Sequence, residues 1–197
     1  MNYERTRNAA TGLKTMMLKI VQAGDPVLRA IGRRLTIEEI KSSSIQSLIE
    51  SMRDTMRAAP GVGLAAPQIG ESIQLAVIED RADYLENVAA DQLKERHRLA
   101  IDFHVIINPN LSFVDDTSAE FFEGCLSVEG FQAIVQRSFK VHVECLNERA
   151  EPITIDAEGW YARILQHEID HLNGRLYIDR MESRTFSTNE NLMKYWK

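Results

Sequence analysis

The sequence predicts an α+β domain, and three observations carry that prediction. Short runs rich in β-branched and aromatic residues crowd one continuous stretch between residues 104 and 155. The two clearest helical patterns lie outside that stretch, one before it and one after it. Strands and helices therefore do not alternate as they would around a parallel sheet, and mixed or antiparallel sheets packed around the later helix are expected.

Taken in order, residues 19–21 read as a short strand stopped by the turn Gly24-Asp25-Pro26. Thr36 with Glu39 resembles a capping box, but Ser42, Ser43 and Ser44 interrupt the helix it would open, so the main helix is expected from about Ser44. There Ile45, Leu48, Ile49, Met52 and Met56 recur at helical spacing as a core stripe, and Ala58-Ala59-Pro60 ends it. Residues 61–70, GVGLAAPQIG, form a loop of small residues, and 73–79 read as an apolar strand. Residues 81–102 are highly charged and sit between strands, which marks a partly helical surface excursion with a solvated His97. Strands follow at 104–107, 111–114, 119–122, 132–135, 140–146 and 152–155. Residues 158–173 read as a helix with Asn173-Gly174 as its left-handed stop. A short strand is expected at 176–178, and the tail from Met181 is polar and irregular up to Leu192.

Composition sets the outer limits. With 197 residues, 44% of them hydrophobic, the chain can build one core without disulfides or a partner. Lys+Arg 23 against Asp+Glu 29 gives a net charge of -6, the wrong sign for gripping phosphate backbone across the whole surface. Cys125 and Cys145 are too few for a disulfide scaffold, so a reducing compartment is expected. No apolar run reaches the roughly 18 residues needed to cross a bilayer. Residues 1–16 carry Arg5, Arg7 and Lys14 against Glu4 and read as an N-terminal extension, either loosely docked or the remnant of a transit peptide.

Chemistry concentrates in the late helix. His167-Glu168-Ile169-Asp170-His171 is an HExxH motif, and residues four apart on a helix lie roughly 40° apart around its axis. Both imidazoles can then meet one ion, while Glu168 on the flank can act on a water there as a base. Asp170 reads as a supporting or surface group. Two histidines need a third ligand. The spacing HExxHxxGxxH fails because position 177 is Tyr177. Two candidates remain open: Glu190, 19 residues beyond His171, which would make a thermolysin-like protease, and Cys125, which would give a Cys-His-His site with an open position. Gly124 lets the backbone come close to such an ion, whereas Cys145 reads as a small buried hydrophobe. A metal that only staples the fold is the non-catalytic alternative, and it would have no use for Glu168.

GVGLAAPQIG (61–70), EGCLS (123–127) and QHEIDHLNG (166–174), in this order and at these intervals, resemble peptide deformylase. That resemblance runs from about Met17 to Arg184, which implies a catalytic domain at 17–184 with a C-terminal tail at 185–197, and it implies a metal-dependent hydrolase that removes the formyl group from the initiator methionine of nascent polypeptides. It implies Cys125, His167 and His171 as metal ligands and Glu168 as the general base. It further implies Gln68 with the Leu126 N–H as the oxyanion donors, and Gly63 as a main-chain contact for substrate. Val62, Leu126 and the helix around Ile164 and His167 would wall the methionine pocket, with Gly124 as a further substrate contact. The implied metal is Fe(II) in the cell, replaceable by Zn(II), Ni(II) or Co(II). Implied partners are formylmethionyl peptides and, transiently, the ribosome, with neither membrane nor stable nucleic-acid binding. The implied location is the cytoplasm in a bacterium, or a mitochondrion or plastid in a eukaryote. Val128-Glu129-Gly130-Phe131 and Gln136 depart from a common pattern of the family, and EGCLSVEGF with the tail at 181–191, MESRTFSTNEN, looks more like its organelle-type branch.

Overall fold

In the computed structural model the described residues are 17–59, 61–86 and 88–196. The extension at residues 1–16 and Pro60 lie outside them.

Thr36 does form a capping box, but for a separate short helix, α1 (Ile37–Ile40). Ser42 then caps the long helix α2 (Ser43–Ala58), so the serine run ends one helix and starts the next. Strands β1 (Gly63–Ala65) and β2 (Leu75–Asp80) flank a 3-10 turn at Ala66–Ile69. The charged excursion holds two short helices, α3 (Ala82–Leu85) and α4 (Ala90–Glu95). The expected strands at 104–107 and 111–114 are one strand, β3 (Ile101–Phe113). Asn108-Pro109 mimics a turn in the sequence, yet it is a bulge: Asn108 takes φ 54° and its side chain bonds the Leu35 backbone through both N–H and C=O.

Strands β4 (Ser118–Cys125), β5 (Val128–Ser138), β6 (Lys140–Leu146) and β7 (Pro152–Glu158) follow. The HExxH helix is α5 (Gly159–Leu172), stopped by Gly174 at φ 71°. Residues 176–178 are not a strand but open a 3-10 turn at Tyr177–Asp179, because the Asp179 carboxylate caps the Leu176 N–H. Nor is the tail irregular. It adds β8 (Ser187–Thr188), which pairs with β5, and α6 (Asn189–Tyr195), capped by Thr188. Residues 19–21 form no strand. The segment 18–23 instead runs without regular structure, ending in a turn at Ala23-Gly24, as a strap tied to other segments by backbone bonds.

Two antiparallel sheets result, one in the order β1-β2-β3-β6-β7 and one in the order β4-β5-β8. Side-chain alternation puts Ala76, Ile78 and Ile106 on the face shared with Leu165, Ile169 and Leu172 of α5. Leu75, Val77, Val105 and Ile107 face the other way, against Ile49, Met52 and Met56 of α2. The large sheet is therefore covered on both faces, which explains why β2 and β3 read as nearly unbroken apolar runs. Helix α5 also contacts β5 of the small sheet. Its HExxH motif thus lies where both sheets reach it.

Candidate active site

Helical spacing brings His167 and His171 to one side of α5, with ring centroids 5.0 Å apart. Cys125 arrives from the end of β4, where the β4–β5 register shifts between Gly124 and Cys125. Its Sγ lies 3.2 Å from His171 Nε2, and one donor atom from each of Cys125, His167 and His171 falls within 4.8 Å of the other two. Among the described residues this is the one group of three or more His, Cys, Asp or Glu side chains so placed. Glu190 is exposed on α6 and not part of it, so the thermolysin-like ligand set is not formed. Tyr177 is buried and donates its hydroxyl to the Phe131 carbonyl at 3.1 Å.

The donor set fits a divalent metal ion. Ligand bonds of about 2.0–2.3 Å around one centre require donors a few ångströms apart, as these are. Protons reveal the same crowding. Burial opposes a charged His167, yet hydrogen bonding with Cys125 and Glu123 pushes its pKa well above the usual range. Burial, with the charges of His167 and Arg137, pushes His171 well below it. One cation between these groups is favoured and a second is not, and a metal ion would take the place of that proton.

Glu123, inside EGCLS, orients the His167 ring. Its carboxylate accepts from His167 Nδ1 at 3.0 Å, from Arg137 Nε at 3.0 Å and Nη2 at 2.9 Å, and from Arg163 Nη1 at 2.5 Å. Burial alone would raise this carboxyl, but the His167 and Arg137 hydrogen bonds hold it well below the usual carboxylate range. Arg137 continues to Asp170, which also takes a two-pronged contact from Arg180. Asp170 is therefore a buried member of this charged network. Nothing in the spacing of Arg137 or Arg163 marks them in the sequence, since their contacts span 14 to 44 residues.

Glu168 lies buried, and its Oε2 has no hydrogen-bond partner. Burial pushes its carboxyl up to about 7, against the lowering influence of His167 and Arg137. Gly63 explains how it fits: a Cβ at that position would stand 2.2 Å from Glu168 Oε1. Gln68, buried in the 3-10 turn, accepts the Ala65 N–H on Oε1 at 2.8 Å. Its Nε2 is thereby aimed at Cys125 Sγ (3.5 Å) and Ser127 Oγ (3.4 Å). A cavity of about 1030 Å³ joins these groups. Val62, Gly63, Gln68, Gly124, Cys125, Leu126, Ile164, His167 and Glu168 all line it, whereas His171 sits behind the wall. The excursion at 81–102 also contributes Arg96 and Arg98 to that wall. His97 between them is half exposed, pairs with Glu158 and rests edge-on against Phe139.

Comparison with known proteins identifies the family. A family model described as "Polypeptide deformylase" matches residues 17–187. "Peptide deformylase 1A, chloroplastic" of Solanum lycopersicum is 50% identical over 179 residues, 91% of this chain. "Peptide deformylase 1" of Bifidobacterium longum is 46% identical over 187 residues, covering 94% of this chain and 82% of that protein. The chain spans 65% of the tomato relative and 66% of the Arabidopsis thaliana one. Among solved structures, a class I type b peptide deformylase from Acinetobacter baumannii aligns with a TM-score of 0.75 and 28% identity, over 85% of this chain and 99% of that one. A fold shared over nearly the whole of a solved relative, and sequence identity of this extent, leave one conclusion: the chain belongs to the peptide deformylase family.

Proposed function

We propose that this protein removes the formyl group from the N-terminal methionine of new polypeptides, releasing formate. The observation that carries the reading is one cavity in which Cys125 and His167 meet the unpartnered carboxylate of Glu168 and the oriented amide of Gln68. The Acinetobacter baumannii relative is described with Met-Ala-Ser bound, the peptide that deformylation of formyl-Met-Ala-Ser would leave.

Cys125, His167 and His171 would hold the metal, with Fe(II) as the cellular ion and Zn(II), Ni(II) or Co(II) as replacements. Bound there, the ion would polarise the formyl oxygen and acidify a water. Glu168 accepts a proton from the attacking water and returns it to the leaving amine, which becomes the free N-terminus of methionine. Gln68 Nε2 and the Leu126 N–H hold the oxyanion that develops on the formyl oxygen. Gly63, on the edge strand β1, offers its main chain to the peptide, and Val62, Leu126 and Ile164 surround the methionine side chain.

The test is turnover of formyl-Met-Ala-Ser by protein purified without oxygen, with its metal content measured. Glu168→Gln should keep the metal and lose about 10²- to 10⁴-fold in kcat/KM, the usual contribution of a general base. Full activity in that variant would overturn the base assignment, and a parent with metal but no turnover would overturn the function.

A further inference from the structure

The two oxyanion donors come from separate pieces of chain. Gln68 stands on the turn after β1 in the large sheet, and Leu126 follows β4 in the small one. Direct ties between the two pieces are long: Gln68 Nε2 reaches Ser127 Oγ at 3.4 Å and Cys125 Sγ at 3.5 Å. Three consecutive residues of the strap reach both pieces with shorter bonds. The Val21 N–H donates to the Gln68 carbonyl at 2.9 Å, and the Ala23 N–H donates to the Ser127 carbonyl at 2.7 Å. Between them Gln22 donates Nε2 to the Leu126 carbonyl at 2.9 Å and accepts the Glu129 N–H on Oε1 at 3.2 Å. The strap is itself anchored where the Leu18 N–H donates to Thr55 Oγ1 of α2 at 3.0 Å.

We propose that this strap, with Gln22 as its side-chain tie, is a positioning element that sets the spacing between the Leu126 N–H and the Gln68 amide. The inference rests on the functional reading above, because that spacing matters only if an oxyanion forms between the two donors. Cys125 is fixed by β4, so the peptide before Leu126 is held from one side. The strap holds the peptides that follow it, through the carbonyls of Leu126 and Ser127. An oxyanion hole works by being in place before the charge appears, and small misplacements are costly. Gln22 itself is exposed, so its two hydrogen bonds contribute little to stability. Loss of positioning is therefore separable from loss of the fold.

The experiment compares the full metal-loaded chain with Gln22→Met, which keeps the shape and loses both bonds. Gln22→Glu is the second variant, keeping the acceptor for Glu129 and losing the donor to Leu126. Hydrogen exchange at residues 126–129 is followed without substrate, alongside kcat and KM on formyl-Met-Ala-Ser. Both variants should lose on the order of fivefold in kcat with KM within about twofold, faster exchange at 126–129, and unchanged metal content. Unchanged kcat in both overturns the proposal, as does a kcat loss that only follows lost metal. If the parent itself does not deformylate, the functional reading fails separately, and unchanged exchange in the variants would still dismiss the strap.

Discussion

At the residue scale, Gly63 and Glu168 are matched as a void and its filling. Gly63→Ala would drive a methyl into the Glu168 carboxylate, 2.2 Å from Oε1, and the carboxylate must move. Activity on formyl-Met-Ala-Ser should fall about tenfold or more with metal content retained, and wild-type kcat in that variant would show that the carboxylate has other room. Cys145 offers a second test. Burial pushes its thiol up to about 11, so between the ordinary thiol pKa and 11 the folded protein keeps a proton that the unfolded chain has lost. The sign follows: alkylation of Cys145 in the folded protein should stay slow near pH 8 and rise toward pH 11, and its contribution to stability should fall over the same window. Iodoacetamide labelling read by mass spectrometry checks this, and labelling near pH 8 as fast as in the unfolded chain would refute it. The pairing of His167 with His171 was legible in the sequence because HExxH fixes its geometry within one helix, whereas the choice of Cys125 over Glu190 as their companion rested on the resemblance of EGCLS. Glu123, Arg137 and Arg163 were not, because their contacts join three elements far apart in the chain.

At the element scale, the strands that read correctly are those whose alternation or apolar run reflects one environment along their length. β3 reads as two strands in the sequence because a bulge at Asn108 looks like a turn when only local residues are visible. β8 escaped notice because two residues carry no period, and only pairing with β5 defines them. Arg137 of β5 is 3% exposed and ties β4 to α5, lying between two buried acids, Glu123 and Asp170. Arg137→Met would leave both acids without this cation in a site closed to water. Thermal or denaturant unfolding should show a loss of about 3–5 kcal/mol, the typical cost of removing one partner of a buried pair. A loss below about 1 kcal/mol would mean that Arg163 and Arg180 suffice to compensate them.

At the scale of the whole molecule, the large sheet has its own two-sided core, with α2 on one face and α5 on the other. Those contacts are independent of the Cys125-His167-His171 cluster. Chelation should therefore leave the far-ultraviolet circular dichroism unchanged while lowering Tm by the mass-action contribution of the lost ion. Loss of helix and strand signal on chelation would instead make the metal part of the folding core. Charge and length, read from the sequence, bounded this architecture without specifying it. The joining of two sheets by one helix depends on burial patterns that become visible only once the layers are assembled. The donor set is divided accordingly: Cys125 belongs to the small sheet, while His167 and His171 ride on the helix that packs against the large one. Neither layer alone can hold the ion tightly. Metal retained by all three donors would thus report that the two layers have docked, and the metal-to-protein ratio of a preparation would set a lower bound on the fraction properly assembled.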